Sequence, residues 1–324
     1  MKILVCGGAG YIGSHMVKML HENAIDVVTF DNLSSGHLEA VQWGEFVEGD
    51  LLNQNDLASL FQAHQFDAVM HFSAKSLVGE SVEKPELYYQ NNVIGTLNLL
   101  AAMREHAVCK LVFSSTAAIF GNPITDTINE SHPKHPINPY GRNKLMIEQI
   151  LEDYSQAYVF NSVCLRYFNA AGNDSEGQLG ESHQPETHLI PNILKAVSGT
   201  GPALKVFGDD YDTQDGTCVR DYIHVADLAR AHLLAVEYLQ THDGASAFNL
   251  GNGQGFSVKQ VIESCQLISG RPIHYQVAPR RAGDPARLVA DSSLARETLG
   301  WIPEFTDINH IVQSAWLWYQ NPRY

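Results

Sequence analysis

The chain has 324 residues, 44% hydrophobic and 18% charged, which is enough apolar material for one large globular domain or two modest ones. Its formal net charge of −15 argues against a nucleic-acid or anionic-membrane partner, and no apolar run approaches the length of a membrane-spanning helix. The five cysteines (Cys6, Cys109, Cys164, Cys218, Cys265) are scattered with no C-x-x-C pair, and the fifteen histidines show no metal-ligand spacing. We therefore expect neither disulfides nor a metal site, read most histidines as surface or loop residues and, with no signal peptide in view, expect a cytoplasmic protein.

In chain order, Lys2 to Cys6 reads as a strand and Ile12, Met16, Val17, Met19 and Leu20 recur at helical spacing. Between them lies Gly7-Gly8-Ala9-Gly10-Tyr11-Ile12-Gly13, so the glycines fall where a strand turns into a helix. That is the context of a dinucleotide fingerprint: Gly7 for the tight turn, Gly10 for close approach to a pyrophosphate, Gly13 for helix–strand packing. The helix N-terminus would present free N–H groups to the phosphates. A second strand, 26–30, ends at Asp31, where the carboxylate for the adenine-side ribose belongs. A carboxylate there repels a 2′-phosphate, and no arginine follows in Asn32-Leu33-Ser34-Ser35-Gly36, so NAD is expected over NADP.

Further strands are expected at 46–49, 67–72, 111–113 and 162–167, with helices from Asn53 through Phe61, from about Pro85 to His106 and from about Pro139. Regular strand–helix alternation to this point predicts an α/β fold: a Rossmann-type doubly wound parallel sheet over 1–168. Beyond Phe168 the texture changes. Residues 172–187 are polar and glycine-rich. Shorter elements follow: a helix from about Leu189, strands at 204–207, 248–250 and 273–277, helices after His224 and near 257–268, and two terminal helices. We expect 169–324 to form mainly a smaller α/β substrate domain, with segments near 217–250 returning to the first.

Tyr140 and Lys144 stand four apart on one predicted helix and so share a face. An ammonium beside a phenol favours the phenolate, and the helix dipole near Pro139 acts in the same sense. A lowered phenol pKa suits a general base that oxidises an alcohol to a ketone. Thr116, at the end of the Ser114-Ser115-Thr116 strand, is placed to bond the same hydroxyl.

With these pieces in order, the chain resembles the extended short-chain dehydrogenase/reductases and, within them, the UDP-glucose (UDP-galactose) 4-epimerase branch. The resemblance covers nearly the whole chain. It rests on G-G-A-G-Y-I-G-S-H at 7–15, D-N-L-S at 31–34, G-D-L at 49–51, V-G-E-S at 78–81 and N-N-V-x-G-T-x-N at 91–98. It continues through F-S-S-T at 113–116, P-Y-G-R-N-K at 139–144, L-R-Y-F-N at 165–169, G-T-x-V-R-D-Y-I-H at 216–224 and A-P-R-R-x-G-D at 278–284.

The resemblance implies that Tyr11 and Ile12 lie on the cofactor phosphates, Asp31 and Asn32 on the adenosine ribose, and Asp50 and Leu51 on adenine. Phe72, Asn91 and Phe168 would complete the NAD site. Asn169, Leu189, Arg220, Arg281 and Asp284 would hold UDP, with Phe207 beside uracil and Leu288 bordering the hexose as a size gate. It also implies a homodimer built on helices 85–106 and 139–156, and inversion at carbon 4 of a UDP-hexose with Tyr140, Lys144 and Thr116 as the catalytic set. The chain departs from the family pattern at three places. Lys75 comes one position early in Ser73-Ala74-Lys75-Ser76, His188 stands where many members have Asn, and Phe120 replaces a Tyr.

Other readings fare less well. A dehydratase of this family carries an acid–base pair directly after the Ser/Thr, and a decarboxylating relative carries Glu there; here the residues are Ala117-Ala118. Asp31 disfavours an NADP reductase. A silent NAD-sensing or scaffold protein would typically have lost Tyr140 or Lys144.

Overall fold

The computed structural model describes every residue except Thr200, Ala282 and Gly283, so part of the 278–284 motif lies outside the described residues. The first half contains β1 (Lys2–Cys6), α1 (Tyr11–Glu22), β2 (Asp26–Asp31), β3 (Glu45–Glu48), α2 (Gln54–Ala63), β4 (Ala68–His71), α3 (Val78–Glu83), α4 (Pro85–Tyr88), α5 (Gly95–Glu105), β5 (Lys110–Thr116), α6 (Pro139–Ala157) and β6 (Asn161–Tyr167). The second half contains β7 (Asn169–Ala171), α7 (Leu189–Ser198), β8 (Leu204–Phe207), β9 (Val219–Arg220), β10 (Tyr222–His224), α8 (Val225–Tyr238) and β11 (Ala245–Leu250). After these come β12 (Phe256–Ser257), α9 (Val258–Ser269), β13 (Tyr275–Ala278), β14 (Arg287–Leu288), α10 (Ser293–Leu299) and α11 (Ile308–Gln320).

Seven strands form one parallel sheet in the order β11-β6-β5-β4-β1-β2-β3. The order reverses between β1 and β4, so the loop after β1 opens at the switch point where nucleotides bind in such sheets. Strand alternation splits the core. Ile3 and Val5 face the layer of α1 and α8, while Leu4 and Cys6 face the layer of α2, α5 and α6. Both faces are buried, which is why β1 reads as an unbroken apolar run.

The expected helix 85–106 is present, with a π-type turn at Tyr89–Ile94 between α4 and α5. The expected strand at 273–277 is β13, shifted to 275–278.

A second core gathers Ile190, Ile193 and Leu194 of α7, Val261, Ile262 and Cys265 of α9, and Ile311, Val312 and Ala315 of α11. Material from the second half also packs on the first core: Leu228 and Ala235 of α8, Phe248 and Leu250 of β11, Leu299 of α10, and Trp301. The return therefore reaches well past residue 250.

Most histidines do lie at the surface or half-buried, but five do not. His15, His71, His132, His224 and His232 are buried. Each buried ring has a partner: His15 Nδ1 donates to Tyr11 O (2.7 Å), His232 Nδ1 donates to Leu228 O (2.8 Å), and His71 Nε2 bonds Thr96 Oγ1 (2.8 Å). Backbone and hydroxyl partners make burial of an imidazole tolerable, and sequence spacing does not reveal them.

Candidate active site

The glycine loop is built as its three positions require. Gly7 has φ +83°, and a Cβ there would meet Ser73 N at 2.6 Å. A Cβ on Gly13 would lie 2.1 Å from Gly7 O and 2.9 Å from Gly8 Cα, so only glycine lets α1 pack this closely on its own turn. Gly10 differs. A Cβ there meets no atom nearer than Gly7 O at 3.4 Å, and Gly10 gives α1 no side-chain cap. Open space before uncapped helix N–H groups is what a pyrophosphate needs. These residues fit NAD.

Asp31 ends β2 with a further task. Its Oδ2 accepts from Ala9 N (3.0 Å) and its Oδ1 from Leu33 N (2.9 Å), so it ties the glycine loop to the strand end. Burial pushes its carboxyl above the ordinary range, while these backbone bonds pull it back. Each oxygen keeps a second lone pair for a ribose hydroxyl. Asn32 Nδ2 donates to Asp50 Oδ2 (2.8 Å), joining the two residues expected at the ribose and the adenine. Leu51 is core, so its side chain is taken up by packing. Ile12 and Phe72 lie half-buried against the other core face. Asn91 sits in the π-type turn and donates to Asn92 Oδ1 (3.0 Å).

Asn92, quoted in the 91–98 motif but given no role there, holds the loop after β4 by bonding Lys75 N (2.8 Å) and Lys75 O (3.0 Å). Lys75 is thus fixed through its backbone, whatever its side chain reaches.

Tyr140, Lys144 and Thr116 do come together. Asn138 caps α6 by accepting from Gly141 N (2.8 Å), and Pro139 opens the helix, which places Tyr140 in its first turn. Thr116 is the neighbour that acts on the Tyr140 phenol, drawing its pKa downward. Thr116 Oγ1 also accepts from Ala118 N (3.1 Å), which fixes the hydroxyl at the sheet's carboxyl edge. Lys144 is buried. Its Nζ donates to Ser114 O (2.7 Å) and lies 5.9 Å from the Tyr140 ring centroid.

The electrostatics correct the sequence expectation. Burial pushes the Tyr140 phenol up to about 12, with only the Thr116 bond acting the other way. Burial also pulls Lys144 down to about 7, against the raising effect of Cys164 and Glu148. The protein alone does not hold Tyr140 as phenolate, because desolvation outweighs a lysine aimed at a carbonyl.

Behind this pair, Arg166 makes a two-pronged ion pair with Glu148 (Nε–Oε1 2.9 Å, Nη2–Oε2 2.6 Å), and Ser115 Oγ donates to Glu148 Oε1 (2.6 Å). Glu148 thereby clamps α6 to β5 and β6. Its place four residues beyond Lys144 was the available signal.

On the other side of the cleft, Arg220 Nη2 donates to Asp284 Oδ1 (3.0 Å), and the Arg281 guanidinium lies 4.0 Å over the Phe207 ring. Phe207, Arg220, Arg281 and Asp284 are therefore neighbours, but in pairs: Asp284 holds Arg220, and Arg281 covers Phe207. Asn169 Nδ2 donates to Asp221 O (2.9 Å), and Asn169 and Leu189 line a small cavity with His188 and Tyr222. Leu288 and Phe168 pack on one cluster with Ala117 and Phe120, next to Thr116.

The metal expectation meets a contrary observation. Glu181, His183, Glu186 and His188 each offer a ligand-type atom, all within 4.8 Å of one another. His188 is thus not a plain loop histidine. Its side chain lies on this cluster and on the same small cavity.

The model of the NAD dependent epimerase/dehydratase family matches residues 3–251. The chain belongs to that family. It is 52% identical over 320 residues to the UDP-glucose 4-epimerase of Halalkalibacterium halodurans, covering 99% of this chain and 96% of the relative. Among solved structures it is similar to the Brucella ovis UDP-glucose 4-epimerase in complex with NAD (TM-score 0.95, 50% identity, 97% of each chain). It is also similar to the Bifidobacterium longum UDP-glucose 4-epimerase in complex with NAD+ and UDP (TM-score 0.94, 39% identity, 99% of each chain).

Proposed function

We propose that the chain interconverts UDP-glucose and UDP-galactose by transient oxidation at carbon 4, with NAD as resident cofactor. The observation that carries this reading is Tyr140 beside Thr116, one turn before the buried Lys144, in a chain similar over nearly its full length to UDP-glucose 4-epimerases.

The glycine loop, Asp31 and the α1 N-terminus would hold NAD. Bound there, NAD would supply a reversible acceptor for the carbon-4 hydride and a cationic ring in the cleft. Tyr140 takes the proton of the 4-hydroxyl and gives it back, with Thr116 sharing the bond. Because burial keeps the phenol protonated in the protein alone, Tyr140 becomes a base only with added positive charge nearby. Ala117 and Ala118 offer no acid–base pair, so nothing beside Thr116 carries the 4-keto sugar on to elimination. The sugar must turn over between the two transfers. Strong contacts therefore belong to the UDP half, where Asn169, Leu189, Phe207, Arg220, Arg281 and Asp284 supply guanidinium and aromatic surface.

A homodimer through α4, α5 and α6 fits the exposed Leu87, Ile94 and Met146. Among the described residues no helix is long and apolar enough to cross a membrane, and the unpaired cysteines fit a cytoplasmic setting.

Incubating the purified protein with UDP-galactose, with no NAD added, tests the proposal. UDP-glucose should accumulate to equilibrium, and the supernatant of denatured protein should contain NAD. No UDP-glucose from protein shown to carry NAD would sink the reading.

A further inference from the structure

We infer that the loop between β7 and α7 binds a divalent metal ion of the zinc class through Glu181, His183, Glu186 and His188. The four side chains come from eight consecutive residues and converge on one point. His188 Nδ1 lies 2.6 Å from Glu181 Oε1 and 3.3 Å from Glu186 Oε1. His183 Nδ1 lies 3.3 Å from Glu181 Oε1 and 3.6 Å from Glu186 Oε2. Around a tetrahedral ion with bonds of about 2.0–2.2 Å, ligand atoms stand about 3.3–3.6 Å apart, which the three longer separations match and to which the His188–Glu181 pair would open by about 0.7 Å.

The directions are as telling as the distances. Glu181 Oε1 and His183 Nδ1 are buried and make no directed hydrogen bond, although each has oppositely charged neighbours within ion-pair reach. A shared central ion would give both atoms the partner that the ion pairs supply only off-axis.

The surroundings support the same reading. Glu186 Oε1 accepts from the N–H of both Thr187 and His188 (2.8 Å each), which orients the carboxylate. Glu181 is pinned through its backbone, its N–H donating to Asn173 Oδ1 (2.7 Å) and its carbonyl accepting from Trp318 Nε1 (3.1 Å). Such outer contacts fix ligands in advance. The carboxylates are only 6% and 3% exposed while the imidazoles are 28% and 49% exposed, so an ion can enter from the histidine side. Two imidazoles and two carboxylates suit zinc; calcium and magnesium prefer oxygen shells of six or more. An ion would displace the protons of the two imidazoles and cancel the carboxylates' two negative charges in their place.

The ion would be structural, with four protein ligands and no redox part. The His183 ring meets Tyr11 edge-on at 6.1 Å, and Leu189, next after His188, opens α7. The ion would thus staple the loop between the cofactor side and the sugar-nucleotide side.

Elemental analysis of untagged protein purified without chelators should find about one zinc per chain. After chelation, Co2+ should bind at the same stoichiometry and give visible ligand-field absorption, lost in His188→Ala and in Glu181→Gln. Loss of one ligand should weaken binding by more than the roughly 10–100-fold that outer-shell changes cost. Circular dichroism checks that each variant is folded, and the Co2+ titration of the unaltered protein stands without them. Protein with no bound metal and no Co2+ absorption overturns the inference in favour of a plain Glu–His ion cluster. An unchanged Co2+ site in folded His188→Ala overturns it too.

Discussion

Tyr140 and Lys144 are the residues on which the chemistry turns, and both are pushed by burial toward their neutral forms. Tyr140→Phe should lower turnover by about 10²–10⁴-fold, the usual share of a general base, with UDP affinity nearly unchanged by calorimetry. Turnover within tenfold of the parent would remove Tyr140 from the mechanism. Lys144 makes a stability prediction whose sign can be worked out. Its folded pKa of about 7 lies below its unfolded value of about 10.4, so the folded state binds fewer protons between those limits. Stability due to this group therefore rises as pH rises from 7. In urea unfolding, the parent should gain on Lys144→Met by about 1–2 kcal/mol between pH 7 and pH 9, within the limit of about 1.4 kcal/mol per pH unit. A constant gap would mean that Lys144 keeps its proton through this range. Leu288 packs beside Phe168 and Ala117, and we propose, as the family resemblance implies, that it borders the hexose. The protein should turn over UDP-galactose well and UDP-N-acetylgalactosamine weakly. Leu288→Tyr should suppress the second activity far more than the first, and equal losses in a folded variant would show that the position does not gate by size.

At the scale of elements, the strand–turn–helix of β1 and α1 is closely packed backbone on backbone. Gly13→Ala would drive a methyl into the backbone of Gly7 and Gly8, where no flexible side chain can yield. Overpacking of this kind costs about 1–3 kcal/mol. It should also spread the turn that receives the pyrophosphate, so the purified variant should lose both melting temperature and retained NAD. A variant that keeps its full NAD content would mean that the turn tolerates the shift. This element was legible in the sequence because each of its glycines answers a separate local demand. The large strands and helices were legible through their apolar periods. The two-residue strands β9, β12 and β14 were not, because two residues carry no period. What sets them is Asp221, buried, whose carboxylate accepts from Asn252 N (2.6 Å), Gly253 N (3.0 Å) and Ala290 N (3.0 Å). Those partners are 31 to 69 positions away along the chain, beyond the reach of any local pattern. The site shows the same division. Tyr140 and Lys144 announce themselves by spacing on one helix, whereas the pairing of Arg220 with Asp284 and the meeting of Glu181 with His188 depend on how loops close.

At the scale of the whole molecule, the two cores are sewn together by the chain itself. After the second half begins, α8, β11 and α10 return to the sheet, and Trp301 is buried in the first core. Trp301 Nε1 donates to Asp227 O in α8 (2.9 Å), and the Asp227 carboxylate accepts from Glu304 N (2.8 Å) and Phe305 N (3.0 Å). Phe305 already packs on the second core, which α11 then completes. One helix of the first core therefore fixes the chain at the point where it enters the second. Neither core can open without exposing Asp227 and freeing the segment that the other uses, so the two should unfold as one cooperative unit despite separate apolar centres. Tryptophan placement makes this testable, since Trp301 reports on the first core and Trp318 sits at the edge of the second, on α11. In each variant that keeps one of these tryptophans and replaces the other three with Phe, urea transitions followed by fluorescence and by far-UV circular dichroism should share one midpoint and one slope. Two separated midpoints would show that the substrate-side core unfolds on its own, and that the Asp227 junction does not transmit stability between them.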